Sequence, residues 1–113
     1  MEYSLQPHED QKMVIALNGR LDASSADEFR EAFKAALDQQ QYWLVVDMAQ
    51  VSFIDSSGLS ALVSGFKGTR EHHGNLVLAN VGAQAKVALK QTRLDQLFTI
   101  YEDVSKALQS VRK

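Results

Sequence analysis

The chain has 113 residues, no cysteine and a formal net charge of −2. That length fits one domain spanning residues 1–113, able to bury roughly two thirds of its unfolded surface. The lack of cysteine excludes disulfides and thiolate metal sites and agrees with a reducing cytosol, and without a basic stripe direct nucleic-acid binding is not expected, so a part in transcription has to act through proteins.

The first ten residues lack the basic start and apolar centre of a secretory signal, and the longest apolar runs fall far short of a membrane span. A cytoplasmic protein without membrane insertion is expected. Tyr3 and Leu5 alternate with polar residues as an edge strand would, and Pro7 to Gln11 reads as a turn. Met13 to Leu17 reads as a second strand closed by Asn18-Gly19, and the two strands make a hairpin. Leu21-Asp22-Ala23-Ser24-Ser25 leads into an amphipathic helix with Phe29, Phe33, Ala36 and Leu37 on one face. Asp22 or Ser24 is its expected cap, and Gln39-Gln40-Gln41 marks its exit.

Tyr42 to Val46 is a short apolar run that stops at the charge of Asp47, as a buried strand of a parallel sheet does. Beyond Ile54 the period changes. Leu59, Leu62, Val63 and Phe66 fall at i, i+3, i+4 and i+7, which predicts a helix starting just before Leu59. At that start stand Asp55, Ser56, Ser57 and Gly58. Asp and Ser cap helices because their oxygens accept from backbone N–H groups that lack intrahelical partners. Here three such oxygens stand where one suffices, followed by a glycine that costs about 1 kcal/mol in a helix relative to alanine, which suggests close access to the backbone. A serine phosphate at this place would meet free N–H donors and the positive end of the helix dipole. With Ser56 at the cap, Ser57 is the freer acceptor; Ser56 and Ser60 are alternatives.

Gly65 and Gly68 inside the helical period either let a neighbour approach closely or fray the helix end. His72 and His73 point apart and have no third ligand nearby, so no metal site is expected. Lying roughly 22 Å from Ser57 along the helix, they cannot act as its base. The segment also lacks the Gly-x-Ser-x-Gly elbow of serine hydrolases, so no catalytic residue, no cofactor and no enzyme activity are expected. Gly74 suits a left-handed helix terminator. Leu76 to Ala79 reads as a strand, and Ala83 to Arg93 as a helix presenting Ala83, Val87 and Leu94 to the sheet. Leu97 to Tyr101 reads as a last strand or extended piece, and Val104, Ala107, Leu108 and Val111 as a closing helix. A hairpin followed by alternating helices and strands places the chain in the α/β class, with a mostly parallel sheet.

Phe53-Ile54-Asp55-Ser56-Ser57-Gly58-Leu59 resembles the phosphorylation-site motif of the anti-sigma factor antagonists, the bacterial partner-switching members of the STAS domain family. Asn18-Gly19-Arg20-Leu21-Asp22 resembles the family's turn after the second strand, and Leu44-Val45-Val46-Asp47 with Val51-Ser52-Phe53 its central strand and following loop. Asn80-Val81-Gly82 and Leu94 to Tyr101 resemble its last third. The resemblance implies four to five strands and about four helices packed mainly on one side of the sheet. It also implies phosphorylation of the serine before the glycine, Ser57, by a partner that is both anti-sigma factor and serine kinase, with a phosphatase reversing it. Asp22, Asp55, Ser56, Ser57, Gly58 and Leu59 would form the partner-binding surface. Two departures from the family are Ser60, where Gly or Ala is common, and Arg20, where an acidic residue is common. The alternative is a non-switching STAS scaffold subunit of a signalling complex or of a membrane transporter ATPase assembly.

Overall fold

The computed structural model describes residues 2–111. Its sheet begins with a hairpin of β1 (Glu2–Pro7) and β2 (Lys12–Leu21), antiparallel with Leu5 opposite Ile15. Asp10 and Gln11 turn the chain, both with left-handed backbone. Then follow α1 (Ala26–Asp38), β3 (Trp43–Ile54), α2 (Ser56–Glu71), β4 (Asn75–Ala79), α3 (Ala83–Gln91), a single 3-10 turn (Leu94–Gln96), β5 (Ile100–Tyr101) and α4 (Val104–Ser110). The strands lie in the order β1-β2-β3-β4-β5, and every pair after the hairpin is parallel. This is the mostly parallel α/β sheet with an N-terminal hairpin that the sequence predicts.

Side-chain alternation divides the interior. Leu44, Val46 and Met48 of β3 point to one face with Met13, Ile15 and Leu17 of β2, and there α1, α2 and α3 cover them with Phe29, Phe33, Leu62 and Leu89. Val14, Val45 and Val77 point the other way with Ala79 and meet Ala107 and Val111 of α4 and its flank, with Trp43, Tyr101, Val104 and Leu108 beside them. Three helices therefore sit on one face and one on the other. Lys12 fastens the second layer by donating from Nζ to the Leu108 carbonyl at 2.6 Å.

Several boundaries differ from the sequence reading, each for a local reason. β2 does not end at Asn18-Gly19; the register shifts there, Gly19 takes φ 108°, and the strand resumes to Leu21. β3 does not stop at Asp47 and takes in the stretch read as a loop, Val51 to Phe53. The Asp47 carboxylate is satisfied within the fold, since Oδ1 accepts from Ala49 N–H (3.1 Å) and Asn80 Nδ2 (3.0 Å), so the strand continues past it. In α3 the buried residues are Ala85 and Leu89, while Val87 is 54% exposed; the expected Ala83–Val87 face is about half a turn out of phase. The left-handed residue closing α2 is His73, not Gly74. Gly74 is required for a different reason: a side chain there would strike the Tyr42 carbonyl. Gly65 and Gly68 give close approach to α1, where the Phe33 ring and Leu37 occupy the space a β-carbon would need. Of Leu97 to Tyr101 only Ile100–Tyr101 is strand.

Candidate functional site

The site is built where two helices begin side by side. Asp55, extended at φ −120° and ψ −169°, is the N-cap of α2. Its Oδ1 accepts from Ser57 N–H (2.9 Å) and Gly58 N–H (3.1 Å), so two otherwise unpartnered donors of the first turn are satisfied by one carboxylate. The cap is thus Asp55 and not Ser56, and neither serine hydroxyl is needed for it. Ser56 is exposed and Ser57 half-buried, the reverse of the expected order of exposure. Gly58 and Leu59 turn inward. A side chain at Gly58 would strike the Leu21 carbonyl and crowd Ile54, so what approaches the backbone at this glycine is the protein's own β2.

Leu21 also accepts from Asp55 N–H at 3.2 Å, which ties the start of α2 to the turn before α1. In that turn neither Asp22 nor Ser24 caps α1; the N-cap residue is Ser25, which makes no side-chain capping bond. Asp22 organises the turn instead. Its Oδ1 accepts from the Ser24 hydroxyl (2.6 Å) and Ser24 N–H (3.0 Å), and its Oδ2 from Arg20 Nε (3.3 Å). The Ser24 hydroxyl holds the Asp22 carboxyl below its ordinary range, with help from Arg20 and the Ser24 N–H, against an opposing effect of desolvation. Arg20 lies with its guanidinium 4.3 Å from the Phe53 ring centroid.

Between the two helix starts lies an open cleft of about 290 Å³ lined by Ala23, Ala26, Asp27, Arg30, Ser56, Ser57 and Ser60. It contains both candidate acceptors and the alternative Ser60. Asp22 is brought to its edge through Ala23. Asp27 and Arg30 were not legible as site residues, because on the sequence they belong to the polar outer face that any amphipathic helix has. Gln84 of α3 was also missed: its amide grips β3 where it ends, accepting from Ile54 N–H (3.0 Å) and donating to the Ile54 carbonyl (2.9 Å), which fixes the residue before the cap. An exposed glutamine carries no sequence signal for that.

His72 stacks on Tyr42 at 4.5 Å between centroids, and among the described residues no three His, Cys, Asp or Glu gather as a metal site. No helix among them is long and apolar enough to cross a membrane.

Comparison with known proteins bears on the family and the fold. A family model described as the STAS domain matches residues 4–107. Over 88 residues the chain is 30% identical to the anti-sigma-B factor antagonist of Listeria monocytogenes, covering 78% of this chain and 67% of that protein. In fold it is similar to an anti-sigma factor antagonist from Mycobacterium paratuberculosis, with a TM-score of 0.84 and 24% identity across 99% of this chain and 94% of that one. The phosphorylated form of the Bacillus cell fate determinant SpoIIAA also shares the fold, with a TM-score of 0.75 and 20% identity across 98% of this chain and 100% of that one.

Proposed function

The chain belongs to the STAS domain family, and we propose that it acts as an anti-sigma factor antagonist whose hold on its partner is switched at Ser57. Residues 1–113 are read as one such domain, cytoplasmic and without catalysis of its own. The observation that carries this reading is the placement of Ser57: second residue of α2, half-exposed in a cleft, with capping left to Asp55. A kinase can modify such a serine without undoing the helix start.

In the unmodified form, Asp55, Ser56 and Ser57 with the Asp22 turn would dock against an anti-sigma factor and free the sigma factor. Gly58 and Leu59 shape that surface from beneath, since both are buried. A phosphate on Ser57 adds about 1.5 to 2 negative charges beside the Asp55 and Asp27 carboxylates, and a partner surface fitted to the neutral serine must then desolvate or face that charge. Release follows from local electrostatics, with the core beneath unchanged. Ser56, exposed in the same cleft, is the alternative acceptor, and a phosphatase would restore binding.

The test is capture from a lysate of the source organism with Ser57→Ala and Ser57→Asp baits and identification by mass spectrometry. A kinase-like anti-sigma factor held by the alanine bait and lost by the aspartate bait is expected. If both baits hold the same scaffold or transporter ATPase proteins, the switch is wrong and constant docking replaces it.

A further inference from the structure

A phosphate on Ser57 would enter a cleft where the two backbone donors capped by Asp55 are already engaged and the Ser56 and Ser60 hydroxyls carry no charge to answer it. The N–H groups of Ser57 and Gly58 are bound to Asp55 Oδ1, so α2 cannot turn them to a phosphate without giving up its cap. Arg20 is held between Asp22 and the Phe53 ring. Among the residues lining the cleft, Arg30 of α1 is the one cation. Its present partner is Asp27, at 3.2 Å with side-chain exposures of 42% for Arg30 and 95% for Asp27. An exposed pair one helical turn apart is among the weaker ionic contacts, whereas a guanidinium on a phosphate makes a charge-assisted, two-pronged contact.

We propose that Arg30 is the counter-ion of phosphorylated Ser57, leaving Asp27 for the phosphate and so depriving the exposed Asp27 carboxylate of its partner. The proposal rests on the reading of Ser57 as the phosphate-bearing residue and adds α1 to the switch. One modification then changes the surface in two places: a phosphate pinned across the cleft to α1, and an uncompensated carboxylate on that helix. Asp27 lies in the first turn of α1, where the helix dipole tolerates a free carboxylate. Two separated negative features give a partner more to reject than a phosphate alone, and no strand or core residue has to move.

The experiment uses the full chain with phosphoserine installed at position 57 during synthesis, so it needs neither kinase nor partner. The second ionisation of the phosphate, ordinarily near pH 6, is followed by phosphorus NMR. A guanidinium beside the dianion lowers that pKa. Arg30→Ala is therefore expected to raise it by about half a unit or more, and Arg30→Lys to restore part of the shift. Asp27→Ala is expected to lower it, because a repelling charge and the competitor for Arg30 are removed together. The other charged groups around the site, Asp55 on α2 and Arg20 and Asp22 in the turn before α1, are the same in all variants. An identical phosphate pKa with and without Arg30 would overturn the pairing while leaving the antagonist reading intact. Conversely, failure of the bait capture would remove the antagonist reading and leave the measured pairing standing.

Discussion

The two helices that meet at the cleft both begin with serines, and only one of them uses its serine to hold the fold. At α1, Ser25 is buried; its hydroxyl donates to the Arg20 carbonyl at 2.6 Å and accepts from Asp22 N–H at 3.0 Å. The first turn of that helix carries Asp27 and Glu28, which already complement its dipole. At α2 the structural task belongs to Asp55, the first turn has no acidic residue, and Ser56 and Ser57 are left at the surface. A serine that is chemically available at a helix start is one whose neighbour has taken over the cap, and this difference separates a serine that holds the fold from one left free for the proposed modification.

The contrast can be broken most forcefully beneath the serines. Gly58→Ala would ordinarily strengthen a helix by about 1 kcal/mol, but the added carbon strikes the Leu21 carbonyl. A loss of about 3 kcal/mol is expected in denaturant unfolding. Ser25→Ala follows: removing a buried hydroxyl that bridges two part-buried backbone groups is expected to cost about 2 kcal/mol. Asp55→Ala removes the cap of α2 and is expected to cost about 1 kcal/mol. Ser57→Ala is expected to leave stability within about 0.5 kcal/mol of wild type. Equal losses for Ser25→Ala and Ser57→Ala would erase the distinction between the two helix starts.

The smallest effect is that of pH on the Asp22 turn. Its carboxyl is held below the ordinary value of 3.8, chiefly by the Ser24 hydroxyl. The folded pKa therefore lies below the unfolded one, so the stabilisation is fully present above pH 3.8 and is lost as pH falls through the folded value. Unfolding curves of wild type and Asp22→Asn should converge on acidification below that point. A gap that stays constant through acid would mean that the carboxylate's bonds to Ser24 and Arg20 do not contribute.

The order of elements was legible because apolar spacing changes from strand-like to helical beyond Ile54, and the run Asp55-Ser56-Ser57 marks a helix start by its chemistry even though it does not say which oxygen caps. What was hidden depends on partners distant in sequence. Asp47 reads as the end of a strand until Asn80, 33 residues later, satisfies it. Asn18-Gly19 reads as a turn because a bulge and a turn call for the same residues. In α3, Val87 outweighs two alanines on any hydrophobic count, yet Ala85 is the residue that fits against the sheet. The serine pair could be singled out from the sequence, but the cleft around it could not, because Arg30 and Asp27 come beside the serines only when α1 is laid against α2.

The central claim is tested most directly by titrating the anti-sigma partner captured by the alanine bait with two forms of the full chain, carrying serine or phosphoserine at position 57. The account predicts that the phosphorylated form binds at least about tenfold more weakly, a difference of about 1.4 kcal/mol. Equal affinity of the two forms would contradict it.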